Sequence, residues 1–561
     1  MSSTEKSMKA HSHDNTSTED DLEQNKPEPA AEEPVEDERQ YMAGVKLALM
    51  MMALCMTVLL VGLDNSILAT AIPTITTKFN SLDDVGWYGS AFLICTCALQ
   101  PLAGRLFQYF SLKWTYLVFI GLFELGSLLC ATATSSKMLI IGRAVAGMGS
   151  AGLFSGGLVI LGHLIKPRER PLYTGLIASM FGVSNVLGPV LGGVFTQHVS
   201  WRWCFYINLP LGALAVVVMI AVFHPAARPE TRLPLREKIT HLDLPGLLLF
   251  IPSVIMLLIA VQWGGNKYAW RSSTIIGLFV GFGLTMLAFA AWEWRQQDEA
   301  SIPPRIIRQR SILAAILIVF FGMGSVQLQA YYLPMWFQVI QNATPLHSGI
   351  RFLPSVLSNF VMSILGGAMG MLLPLNPEMI QIVLTILVTR FGHFNPWLFF
   401  GTALTAIANG LFSTFKVDTG NPLINGIQIM GGFGAACVIQ MPLIGLMSLI
   451  PIHDLTTATS IAVFFQFLGG SIFLAIAENI FVSRLVSSLH HFTPTLDAEA
   501  VVGVGAEGLR KFLMSEGQLD KLGGALLAYD EAITRTFLLG AAGAGAAFFA
   551  SAGMEWKSFK R

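Results

Sequence analysis

The chain has 561 residues, 53% of them hydrophobic and only 12% charged, with mean hydropathy +0.61 and no formal net charge. A soluble domain carries about 25% charged residues, so this composition excludes a water-soluble protein and a basic nucleic-acid binder and puts most of the chain in lipid. Six cysteines (Cys55, Cys95, Cys97, Cys130, Cys204 and Cys437) lie in or beside apolar runs, without the spacing of a disulfide framework or zinc site, and read as packing residues.

Residues 1–45 read as a polar tail. The first 40 hold twelve of the 35 acids and four basic residues, with almost nothing apolar, so they cannot bury enough surface to fold. No apolar segment follows basic residues there, which argues against a cleavable signal peptide. Apolar runs of about 20 residues then recur near 46–66, 87–107, 114–134, 138–161, 173–195, 203–223, 244–263, 274–294, 312–335, 346–369, 396–415, 422–450, 456–483 and 532–554. They predict fourteen transmembrane helices in an all-α membrane protein. Tryptophans such as Trp87, Trp114, Trp201, Trp270, Trp294 and Trp397 sit near the run ends, as interfacial belts require.

Orientation follows from the basic residues. With the N-terminus in the cytosol, inner loops carry Lys166, Arg168 and Arg170, then Arg228, Arg232, Arg236 and Lys238, then Arg295, Arg305, Arg308 and Arg310. Outer loops hold scattered ones such as Lys78, Lys137, Lys267 and Lys416. This fits the positive-inside rule and puts the basic tail 555–561 in the cytosol too.

Two stretches stand apart. Residues 484–531 form an amphipathic outer segment, expected as a pair of interfacial helices. Residues 370–387 form an apolar insert excluded from the fourteen, because a span there would turn the basic C-terminus outward. It is read as a local insertion or a retained intron; a transcript lacking those codons would support the intron.

Charges inside apolar runs are the informative side chains, since one deep in a span costs about 2.5–3.5 kcal/mol on insertion scales. Asp64 must be neutral, paired or wet, each suited to proton handling, or else caps its span near the headgroups. Glu124 lies more centrally in its run, where an apolar setting favours the neutral carboxyl, so it can load and lose a proton or bond to a neighbouring helix. Arg143 keeps its charge, and serves either as the fixed cation for a carboxylate or as an interfacial anchor. Glu478 is the deep acid of the second half, and Gln338, Gln428, Gln440 and Gln466 either line a cavity or bridge helices. There is no GxxxxGK[ST] loop, no GxSxG elbow and no metal-spaced histidine cluster. The chain is therefore read as no enzyme, with no cofactor and no metal, its uphill work driven by an ion gradient.

The stretch Gly175–Gly193, GLIASMFGVSNVLGPVLGG, combines a smooth stripe of Ser184, Gly188 and Gly192 with Pro189 and Gly193. Such a stripe lets a neighbouring backbone come close in lipid, and Pro189 should bend the helix. A hinge between two bundles is expected, against ordinary small-residue packing.

Together with WRWCFYINLPLG at 201–212, this stretch resembles the antiporter motif of the major facilitator superfamily, as found in its fourteen-span drug–proton antiporters. LDNSILATAIPTI resembles their first-span signature, and LIIGRAVAGMGSAG their fourth-span motif, whose arginine, implicated in proton transfer, matches Arg143. FELGSLLCA and YYLPMWFQ are similar to fungal toxin and multidrug efflux pumps. One departure concerns the loop after span 2, usually G-x-L-x-D-R-x-G-R-R with a gate-forming Asp. Here Gln108 stands at the Asp position and Ser111 at the second glycine, leaving Gly104, Arg105 and Lys113. The gate is then weaker, or built around other carboxylates.

The resemblance implies a major facilitator fold. Six-helix bundles would occupy 46–223 and 312–554, echoed in AGRLFQYFSLKW and in GGAM with TRFGHFNPW, and two extra spans would lie in 224–311. It implies a proton-coupled exporter of amphipathic organic molecules such as secondary metabolites, toxins or drugs. The expected proton-coupling residues are Asp64, Glu124 and Arg143. The expected setting is a monomer in the plasma membrane, or in the vacuolar membrane. Siderophore or nutrient transport by the same fold, and a non-transporting sensor, are the alternatives.

Overall fold

The computed structural model describes residues 41–79, 84–166, 169–225, 228–265, 267–371, 395–450 and 452–556. All but residues 41–45 of the expected disordered tail, most of the 370–387 insert and all but two residues of the basic C-terminal tail lie outside them.

Every expected span coincides with helix, because lipid forces each backbone donor and acceptor to find its partner within the segment. The first half runs α1 (Gly44–Phe79), α2 (Val85–Ala98), α3 (Gln100–Tyr109), α4 (Leu112–Ala131), α5 (Ser136–Leu164), α6 (Arg170–His198), the short α7 (Trp203–Tyr206) and α8 (Asn208–Val222). The middle holds α9 (Leu235–Thr240), α10 (Leu244–Trp263), α11 (Ser273–Gln296) and α12 (Pro304–Ile307). The second half has α13 (Arg310–Val339), α14 (Pro345–Met371), α15 (Asn395–Phe412), α16 (Asn421–Leu449), α17 (Ile452–Phe492), α18 (Ala498–Ser515) and α19 (Leu522–Ser551).

Among the described residues eleven helices are long and apolar enough to cross a membrane, or twelve if α2 and α3, bent by 43°, count as one. Pro101 in the first turn of α3 lacks an amide donor, which suits a break there. The two further expected spans, α14 and α15, are helical as well. Asn395, Thr402, Thr405 and Asn409 on α15 and Ser348, Ser355 and Ser358 on α14 are all buried, so their polar faces turn into protein.

Packing follows the two-halves expectation. In the first half α1 lies against α6 and α8, and α5 against α2 and α4; in the second, α13 packs on α17 and α19, and α16 on α14 and α15. The halves meet through α6 with α14 and through α3 with α17, while α10 and α11 pair beside α2 and α17.

The outer segment holds more helix than expected. In addition to the expected interfacial pair, which α18 supplies as two helical pieces broken at Gly505 (φ 72°, ψ −179°), α17 continues unbroken to Phe492 and α19 starts ten residues before the expected span. Leu485 and Leu489 on the extension and Val501, Leu509 and Leu513 on α18 are buried in the second half's core, which holds the segment in place.

Candidate functional site

Arg143 is carried by α5, whose glycines admit neighbouring backbones. A Cβ on Gly147 would fall on the Phe92 carbonyl, and one on Gly149 on the Phe123 amide. This close approach shuts Arg143 away from lipid and water, and both it and Asp64 are 0% exposed. Arg143 Nη1 pairs with Asp64 Oδ2 across α5 and α1. Arg143 Nε donates to the Tyr88 carbonyl at 2.7 Å, and the guanidinium lies over the Phe92 ring, 4.5 Å from its centroid. Burial removes the interfacial-anchor reading of Arg143 and the headgroup-cap reading of Asp64. An ion pair in so dry a place holds only while both partners stay charged.

A residue that sequence reasoning passed over completes the pair. Asn208, the first residue of α8, donates to Asp64 Oδ1 at 3.3 Å and lies 3.0 Å from Ser127 Oγ. The signal was present as the asparagine of INLPLG, but an amide in a motif carries no charge to mark it. Gly212 of the same motif makes room for Glu124, since a Cβ there would fall on Glu124 Oε1. Both Glu124 oxygens are buried and take no hydrogen bond among the described residues, so the bond to a neighbouring helix is not formed. Glu124 lies within electrostatic reach of Asp64.

The small-residue stripe has an unforeseen partner. Gly62, Ser66 and Thr70 of α1 face Ser184, Gly188 and Gly192 of α6 in register. Ser184 Oγ donates to the Leu59 carbonyl and Ser66 Oγ to the Ser184 carbonyl, each at 2.8 Å. A Cβ on Gly188 would fall on Ser66 Oγ and lie 2.9 Å from the Ile67 amide. This seam lies inside the first half, so the stripe does not form a hinge between bundles. The face of α6 turned to the second half carries Gly175, Gly182 and Val186 instead. Helix α6 continues through Pro189, and Gly193 borders open space, outside the seam.

The family model for the Major Facilitator Superfamily matches residues 54–474. This chain belongs to the major facilitator superfamily. It is 41% identical over 521 residues to the MFS-type efflux pump MFS1 of Arthroderma benhamiae, covering 93% of each chain. It is 42% identical over 525 residues to the MFS-type transporter astH of Aspergillus oryzae (94% of this chain, 89% of the relative), and 39% identical over 509 to the efflux pump roqT of Penicillium rubens (91% and 90%). A solved structure of the proton:xylose symporter XylE matches with a TM-score of 0.57 at 12% identity, over 92% of this chain and 97% of that one, a likeness of fold alone.

In this major facilitator chain the four amides bridge helices. Gln338 Nε2 donates to Ser348 Oγ at 3.1 Å, Gln428 Nε2 to the Arg351 carbonyl at 3.0 Å, and Gln440 Nε2 to the Gly175 carbonyl at 3.3 Å. Gln466 reaches Met323 Sδ at 3.9 Å. Gln428, Gln440 and Gln466 are buried, which sets them in closed interfaces and off an open wall. Glu478 is exposed on α17, within electrostatic reach of Tyr331. Phe154 and Phe181 of the first half meet Phe467 of the second in an aromatic triangle, centroids 5.1–6.5 Å apart.

Of the loop after span 2, Gly104 and Arg105 lie at the meeting of the halves. A Cβ on Gly104 would sit 2.7 Å from Ser460 Cβ of α17. Gln108 Oε1 accepts from Arg105 Nη1 at 3.2 Å and from Thr457 Oγ1 at 3.3 Å, so the amide takes a place in the seam that its lack of charge had not suggested. Lys113 is elsewhere: its Nζ donates to the Ile220 carbonyl at 2.8 Å, within the first half.

Proposed function

We propose that the chain is a proton-coupled exporter of amphipathic organic compounds, such as secondary metabolites, toxins or drugs, working by alternating access. The wholly buried Asp64–Arg143 pair carries the coupling part of this reading. Protonating Asp64 cancels its charge and leaves Arg143 without its anion, a state the dry site tolerates poorly. Loading a proton therefore favours an arrangement in which Arg143 finds another partner, and losing it restores the pair. Glu124, close by and without a bond of its own, is the second proton carrier, and Asn208 holds the Asp64 carboxylate in place.

Export is supported by the printed roles of MFS1 and roqT, each matched over at least 90% of both chains. The aromatic triangle between the halves suits flat apolar cargo. The basic loops support a reading with the Arg105 end of the molecule in the cytosol, and the proposed form is a single chain in the plasma or vacuolar membrane. Cells lacking the protein are expected to retain more of the fluorescent amphiphile rhodamine 6G than cells expressing it; equal or lower retention overturns export of this class.

Glu124→Gln keeps the side chain's shape and breaks no hydrogen bond among the described residues. The variant should be produced at the wild-type level, while rhodamine-driven proton movement in proteoliposomes falls about a hundredfold or more, the usual range for losing a positioned acid–base group. Undiminished proton movement removes Glu124 from the coupling path.

A further inference from the structure

The neutral Gln108 leaves Arg105 without the expected carboxylate on its own loop. Arg105 is 2% exposed, and a buried guanidinium needs acceptors and a compensating charge. Nη1 donates to the neutral Gln108 Oε1 and Tyr109 hydroxyl, and Nη2 to backbone: to the Glu299 carbonyl at 2.7 Å and also to that of Ala300. The amides of the same short segment point to two acids. Ser301 N donates to Asp243 Oδ2 at 3.1 Å and to Glu293 Oε1 at 3.3 Å, and Ile302 N donates to Glu293 Oε2 at 2.7 Å. Residues 299–302 are thus gripped with carbonyls on the cation and amides on the acids, and the Ala300–Ser301 peptide is aligned by both.

Both acids belong to the extra spans, Asp243 capping α10 and Glu293 near the end of α11. They hydrogen-bond each other, which requires one shared proton, so the pair carries a single negative charge within electrostatic reach of Arg105. Trp292 Nε1 fixes Asp243 Oδ1 at 2.7 Å. The same linker region holds the end of α3 by two more residues. Arg228 Nη2 donates to the Phe107 and Phe110 carbonyls at 2.7 and 2.9 Å, and His241 stacks on Tyr109 at 5.1 Å. Beyond residue 302 the chain enters α12, where Arg305 Nη2 meets Asp454 Oδ1 of α17 at 3.0 Å.

We infer that Asp243 and Glu293, on the two extra spans, are the anionic half of the inner gate in this chain, holding residues 299–302 onto Arg105 and so keeping α3 closed against α17. The extra pair is then a gate element and more than a spacer. The inference rests on reading the α3–α17 seam as a gate, and its test is independent of cargo and direction of transport.

Ser460, 2% exposed against Gly104, reports the seam. Ser460→Cys is introduced into the full-length protein in lipid nanodiscs, and its labelling rate with a water-soluble maleimide is measured against the parent's native-cysteine background, without cargo or gradient. Asp243→Asn and Glu293→Gln should each raise the rate roughly tenfold, within the range typical of coupling between sites. Asn tolerates both the left-handed backbone of residue 243 (φ 50°, ψ 53°) and its capping role, so folding should survive. Adding Gln108→Asp supplies Arg105 with a local carboxylate and should return the rate towards the parent value. In the chain with both native acids intact, Gln108→Asp should slow labelling further. Unchanged labelling in the two neutral variants, or no return on adding Gln108→Asp, overturns the inference, whichever way transport itself turns out.

Discussion

Asp64→Asn is expected to abolish uphill cargo movement in proteoliposomes and to lower the protein's thermal stability. On sequence alone the change is isosteric and should be accommodated. The wholly buried partner Arg143 alters that expectation, because removing one member of a buried pair typically costs about 3–5 kcal/mol. Arg143→Lys should also fail in transport, because separate nitrogens of the guanidinium serve the Tyr88 carbonyl and Asp64, and one ammonium lacks that planar fork. Combining Asp64→Asn with Arg143→Gln removes both charges and should recover much of the stability with none of the transport. Thermal unfolding and dye-linked proton flux read the two effects separately. A double variant no more stable than the single one rejects the pair as the cause; full transport by Asp64→Asn at every imposed gradient leaves Asp64 a structural residue.

The second large effect belongs to the α1–α6 seam. Gly188→Leu places a branched side chain where even a Cβ meets Ser66 and the Ile67 amide. Overpacking of this kind costs about 1–3 kcal/mol, comparable with the gap between two conformations of one protein. The variant should reach its membrane and bind rhodamine 6G yet turn over poorly, because α1, which carries Asp64, is displaced. Gly193→Leu enters open space and should be mild. Val186 is a poor control, since it packs into the second half's core. Equal damage at residues 188 and 193 would reduce the seam to a general packing requirement.

Much of the site was legible because lipid makes charge conspicuous. Asp64, Glu124 and Arg143 stood out as charges in apolar runs, and the structure gathers them with Asn208. Periodicity marked the stripe on α6 but not the helix covering it, because one face's spacing says nothing about its neighbour. Asp243 and Glu293 escaped notice because acids at span ends, one beside His241 and the other between Trp292 and Trp294, look like ordinary interfacial residues. The amides of the second half were equally ambiguous: a glutamine serves a cavity wall or a helix crossing with the same side chain, and only its neighbours decide.

Helix α17 runs for 41 residues without a break, about 60 Å at 1.5 Å per residue, or twice the thickness of a hydrocarbon core of about 30 Å. It is a push-rod, with Thr457 and Ser460 in the seam at one end and α18 clamped to the other. Tilting such a rod by about 10° about its midpoint carries each tip through about 5 Å, given that length. A fluorophore on α18, far from any cargo, would therefore register each stroke of the opposite end, and a binder that immobilised α18 would stall the cycle without entering the translocation path.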